Sequence, residues 1–224
     1  MTIYRPILTT GEIYHVYDRT INKEEIFIHR DSIKRALDTI NYYSFDQRLR
    51  YSKWKILPSD QKNNYRENFF VKNKLLVETY AYSLMPNHYH FLMKQLKEDG
   101  IRRFVSNFQN SFAKFYNLKN DRQGALFSRP FKIKRINNEE EVKHISRYIH
   151  INHLTNYLLN LEQLKSSRLT SFIYYANKIE TPLFLNTEFL LKMFGIRERY
   201  TQFVVDQIDY QRKLAKIKYL VLEK

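Results

Sequence analysis

The chain has 224 residues, no cysteine, and 38 Lys and Arg against 23 Asp and Glu, for a formal net charge of +15. Without cysteine there is no disulfide and no thiolate metal site, and no apolar run approaches the ~18 residues of a membrane span. The basic excess points to a polyanion, nucleic acid first, and the N-terminus lacks a signal-peptide apolar region, so the expected location is the cytoplasm.

Residues 11–18, Gly-Glu-Ile-Tyr-His-Val-Tyr-Asp, are rich in β-formers and read as a first strand. A polar connection, Arg19 to Glu25, leads to a helix that starts at Asp31-Ser32 and repeats Ile33, Ala36, Leu37 and Ile40 at helical spacing. Residues 46–74 are polar and basic and read as an insertion, with a short helix at about 60–70 behind Pro58. A second strand is expected from about 76 to 84 and a third from 88 to 94, joined by the turn chemistry of Met85-Pro86-Asn87. After Asp99-Gly100 a long helix carries the stripe Ile101, Phe104, Val105, Phe108, Phe112, Phe115 and Tyr116, and Gly124 breaks it. Phe131 to Ile136 alternates apolar and basic residues, a half-exposed fourth strand.

A further helix starts at Asn137/Asn138, with Glu139, Glu140 and Glu141 in the first turn, where carboxylates suit the helix dipole. The order β-α-(insertion)-β-β-α-β is that of an α+β, ferredoxin-like or RRM-like antiparallel sheet with helices on one face. Residues 1–175 form this domain in our reading. Residues 176–224 form a helical extension, amphipathic from Thr187 and ending in the basic run Arg212 to Lys218.

The chemistry centres on His88-Tyr89-His90, just after the turn. In a strand, residues two apart share a face, with Cα atoms roughly 6.6 Å apart, so both imidazoles can converge on one metal ion. Two half-buried, hydrogen-bonded histidines are the plainer alternative, and spacing alone leaves both open. In the following helix Tyr148 and Asn152 stand at i and i+4, on one helix face. That face adjoins the apolar stripe of Ile145 and Ile149, so Tyr148 can lie over the histidines and Asn152 can offer its amide oxygen as a third ligand. Two imidazoles and an amide leave open positions, which suits Mg2+ or Mn2+ polarising a phosphate. A tyrosine phenol so placed can attack phosphorus and keep the phosphodiester energy in a covalent phosphotyrosine.

Between 101 and 136, Arg102, Arg103, Lys114, Lys119, Arg122, Arg129, Lys132, Lys134 and Arg135 face a single acid, Asp121. We read Arg102, Arg103, Lys114, Arg129, Lys132, Lys134 and Arg135 as candidate nucleic-acid contacts. Lys132 and Lys134 should point together from the fourth strand. His15 joins them as a substrate-facing or structural residue rather than a metal ligand.

These motifs resemble a known family. Met85-Pro86-Asn87-His88-Tyr89-His90-Phe91-Leu92 resembles the His-hydrophobic-His (HUH) signature of the single-tyrosine transposases, IS200-like, and most closely the bacterial REP-associated tyrosine transposases. Ile13 to Arg19 resembles the family's opening strand, Gly124-Ala125-Leu126-Phe127 with Phe131-Lys132 its segment before the last strand, and Arg147 to Asn152 its tyrosine helix. The resemblance covers about residues 10–175. It implies His88, His90 and Asn152 at a divalent metal, Mg2+ or Mn2+, and Tyr148 as nucleophile. It further implies a single-stranded DNA partner with a hairpin, cleaved through a 5′-phosphotyrosine, by a protein that works as a monomer. The chain departs from the family pattern at His153, where Pro is common, and at Arg129-Pro130, where Gly-Arg is frequent.

Two other readings stay open. A domesticated descendant would bind structured single-stranded DNA on its sheet without cutting it. A rolling-circle replication initiator shares His-hydrophobic-His but typically carries Lys three or four residues after the tyrosine, where this chain has Ile151 and Asn152. An RNA-binding module would not need the constellation at all.

Overall fold

The computed structural model describes residues 7–206 and 208. The basic run Arg212 to Lys218 lies outside the described residues. Four strands, β1 (Ile13–Arg19), β2 (Val77–Met85), β3 (His88–Gln95) and β4 (Lys132–Ile136), form one sheet in the order β2-β3-β1-β4. All pairings are antiparallel, which is the ferredoxin-like arrangement expected from the element order. The turn at Pro86-Asn87 sets the hairpin register, Met85 opposite His88 and Ser83 opposite His90.

Two helices, α1 (Arg30–Tyr43) and α4 (Gly100–Lys119), pack together on one face. Between them α2 (Tyr51–Lys55) and α3 (Ser59–Phe69) fill the region read as an insertion. Trp54 and Phe70 there pack against Tyr42 of α1, tilted and edge-on respectively. The stripe of α4 behaves as its spacing predicts. Phe104, Phe108 and Phe112 are fully buried, and the first two meet Phe91 of β3 edge-on. Each such ring contributes roughly 1.5–3 kcal/mol relative to an exposed one. Gly100 opens α4 because a Cβ there would run into the Leu76 carbonyl oxygen.

The opposite face belongs to α5 (Glu139–Thr155), which lies over β2 and β3. Its N-cap is Asn138, whose side chain accepts from the Glu141 amide. The remaining helices, α6 (Leu161–Ser166), α7 (Phe172–Ala176), α8 (Glu188–Phe194) and α9 (Arg197–Val205), follow. They build a second apolar cluster with Val142, Ile149, Ile151, Leu92 and Tyr80. The connecting segments also bond to the outer edge of β2. Leu84 N donates to Leu169 O at 2.7 Å and Ser171 N to Tyr82 O at 3.0 Å, while Thr79 N donates to Phe184 O at 3.0 Å. On this face β4 leaves Lys132 and Lys134 exposed.

Candidate active site

Strand alternation sorts β3 into two sets. Tyr89, Phe91 and Met93 enter the core beneath α4, whereas His88, His90 and Leu92 face α5. His88 and His90 have ring centroids 5.1 Å apart. The cross-strand neighbour of Leu92 on β1 is His15, and that of His90 is Tyr17, so both join the same face. His15 Nε2 and His90 Nδ1 are 2.9 Å apart, a buried hydrogen bond between two imidazoles. Tyr17 stacks on both rings, at 4.8 and 5.5 Å.

The second nitrogens of the pair are the informative ones. His88 Nδ1 lies 2.7 Å from Asn87 Oδ1, an acceptor, so Nδ1 carries the proton and Nε2 holds the free lone pair. His90 Nε2 is buried and has no hydrogen-bond partner in a residue only 5 % exposed. Burial holds His15 and His88 down at about 4, with the nearby charges of Lys134 and Arg19 adding to it, and depresses His90 further. All three imidazoles are therefore neutral at pH 7, the state that ligates a metal.

From α5, Tyr148 meets His90 edge-on at 5.4 Å and His15 at 6.1 Å. It remains 42 % exposed, open to a ligand from the solvent side. Burial of the phenol against this cluster raises its pKa, and the Asn152 side chain one turn on works in the opposite direction. Asn152 is 4 % exposed and its Nδ2 has no partner. Its Oδ1 accepts from Asn156 at 3.3 Å. The rotation of α5 is fixed from behind by His150, which bonds Ser171 Oγ at 2.8 Å and Tyr200 Oη at 2.9 Å.

Among the described residues, no group of three or more His, Cys, Asp or Glu side chains is placed to hold a metal. The available donor set is thus two imidazoles and an amide. Such a set fits a weakly held divalent cation that takes its remaining ligands from phosphate and water. The orphaned His90 Nε2 is the observation that favours the fit.

Of the basic residues read as DNA contacts, the sheet brings two to this face. Lys132 pairs with Tyr17 and Lys134 with His15, both exposed beside the histidines on β4. The others lie elsewhere. Arg135 points to the opposite face, beside Tyr14, and pairs with Glu12 at 2.8 Å. Arg102 and Arg103 sit on α4 with Asp99 and Asp46, and Lys114 is exposed on the same helix. Arg129 lies on the loop before β4 and bonds Asn110. Two residues of the site were not singled out in the sequence. Asn87, read only as turn chemistry, orients His88. His153, noted only for standing where Pro is common, is buried near His88, and burial holds it at about 4.

Residues 51–152 match the family model described as Transposase IS200 like. That segment carries His88, His90, Tyr148 and Asn152, and over it the chain is similar to that family. The fold is similar to a solved structure titled as the REP-associated tyrosine transposase bound to a REP hairpin, with a TM-score of 0.51 and 15% identity over 82% of this chain and 90% of that one. No curated protein matches the chain.

Proposed function

We propose that this protein is a metal-dependent single-stranded DNA endonuclease and strand transferase. In this reading it binds a DNA hairpin with an adjacent single strand and cleaves through Tyr148. The observation that carries the proposal is the juxtaposition of Tyr148 with His90, whose Nε2 is buried without a partner. The hairpin comes from the solved transposase of similar fold, which is bound to one.

His88, His90 and Asn152 would hold Mg2+ or Mn2+, which supplies charge neutralisation at the scissile phosphate. His15 orients His90. If His90 Nδ1 donates to His15 Nε2, the ligating lone pair of His90 is fixed on Nε2, the pattern by which outer-shell partners set an imidazole tautomer. Asn87 does the same for His88. Tyr148 Oη attacks phosphorus, the bond to the 3′-oxygen breaks, and that oxygen takes up a proton as the phenol loses one. The product is a 5′-phosphotyrosine and a free 3′-hydroxyl, and reversal of the step by another 3′-hydroxyl gives strand transfer. Lys132 and Lys134 steer the strand along β4. In this proposal the protein works as a monomer in the cytoplasm.

The test uses a labelled single-stranded hairpin library with Mg2+ or Mn2+, resolved on a denaturing gel. A metal-dependent protein–DNA adduct that disappears in Tyr148→Phe supports the proposal. Tight hairpin binding without any adduct would replace it with the binding-only reading.

A further inference from the structure

A cavity of about 340 Å3 opens between α4 and the loop 124–129, on the side of the sheet away from Tyr148. Its size falls within the range of small-ligand pockets. Gln109, Asn110, Ala113, Phe127 and Arg129 line it, together with residues 124–126. On the inner wall Gln109 is 7 % exposed, and its Nε2 donates to Asp18 Oδ2 at 2.6 Å and to Tyr89 Oη at 2.9 Å. An ionised carboxylate only accepts, so Asp18 dictates which way the amide faces. Both N–H groups of Gln109 are then used, and Oε1 is the acceptor left for the cavity.

The arrangement is expensive for the fold. Asp18 is buried, and burial raises its carboxyl to about 6. An uncompensated charge in such a place is strongly unfavourable. Its hydrogen bonds run to Gln109 and to the Arg19 amide, so among side chains its effect is to hold one amide in one orientation. Opposite that amide, Arg129 Nη2 bonds Asn110 Oδ1 at 3.2 Å, which sets a guanidinium at the rim. Ala113 and Phe127 supply an apolar wall. An acceptor and a cationic donor over an apolar surface complement the edge and face of an unstacked base.

The cavity and the histidines are tied through one tripeptide. Tyr89 stands between His88 and His90, and strand alternation sends its hydroxyl through the sheet to Gln109. In the β1–β3 register Asp18 pairs with Tyr89 and Arg19 with His88, so cavity and histidines share the same end of β1. From this we infer that the cavity receives one unpaired nucleobase of the bound strand and reads it at Gln109. The inference rests on the single-stranded DNA function proposed above.

The experiment measures, in EDTA, anisotropy of labelled DNA hairpins that each carry a single-stranded dT flank. Each flank has one central dA, dC, dG or abasic nucleotide. The quantity read is the affinity ratio of the best base to the abasic oligonucleotide within each protein. We expect about tenfold in the wild type, the size of one specific base contact, and less than twofold in Ala113→Leu, which fills the cavity. Arg129→Ala, on the exposed rim, should lower the ratio too and decides the matter if Ala113→Leu does not fold. A ratio unchanged in the folded variants overturns the inference, and so does binding by the wild type with no preference over abasic. No binding to any oligonucleotide would instead overturn the DNA function on which it rests.

Discussion

On one side of β3, Tyr89 and Phe91 meet the phenylalanines of α4; on the other, one residue out of step, His90 meets Tyr148. Apart from the hydrogen-bonded Tyr89–Gln109–Asp18 network, the first side is a dry packing of rings. The second carries a buried ring nitrogen and an amide hydrogen pair with no partner. Buried polar atoms are normally satisfied, so the imbalance marks where the strand's stability is spent on something other than the fold. A single strand can serve both ends because its side-chain period is two.

The comparison can be broken most sharply at Tyr148. Tyr148→Phe should abolish the covalent adduct while changing stability by less than about 0.5 kcal/mol, since the ring is partly exposed; a denaturation curve beside the adduct gel checks both. The dry side should respond in the opposite way. Phe108→Ala is expected to lose about 3–5 kcal/mol in urea unfolding, and a loss under 1 kcal/mol would show that the core reading is mistaken. His15→Phe tests the orientation of His90 and should weaken Mn2+ binding by roughly 10–100-fold, followed by calorimetry.

Titration separates the faces further. His15, His88, His150 and His153 are held below their usual 6.5, to between about 3 and 4. The unfolded chain then binds more protons than the folded one, so metal-free stability should fall as pH drops from about 6.5 to 4 and stay flat above. Asp18, raised to about 6, has the reverse sign, because the folded state keeps its proton between about 4 and 6. The histidines outnumber it, so the net slope is positive, and a chemical-denaturation series in EDTA would detect a reversal. The smallest effect is at the exposed lysines of β4. Lys132→Ala or Lys134→Ala should each weaken DNA binding and reduce the salt slope by about 1, while Arg135→Ala, paired with Glu12 on the other face, should leave the slope alone.

Much of this was legible beforehand, for physical reasons. Period two put His88 and His90 on one face, i and i+4 put Tyr148 with Asn152, and the phenylalanine stripe foretold the dry side. The alternation of Lys132 and Lys134 likewise located them correctly relative to each other. The grouping of the basic residues was not legible, because Arg102, Arg103 and Lys134 become neighbours or strangers only through the strand order. The role of Gln109 was hidden for the same reason, and that of Asn87 because the direction of its side chain toward the adjacent His88 is not written in the turn signal. Their partners are set by side-chain direction and by pairing across 91 residues of sequence in the bond from Gln109 to Asp18. The short helices α2 and α7 carry too few residues for a periodic signal.

The two margins of the sheet have a further consequence. Chain segments around Leu169, Ser171 and Phe184 occupy the outer side of β2, and β4 carries Lys132, Lys134 and Arg135 along the other margin. Unpaired strand margins are templates for aggregation, and charged or covered ones resist it. The lysines beside the histidines therefore also act as gatekeepers of solubility, and a neutralised β4 would be expected to recruit a strand from a second molecule before it lost its fold.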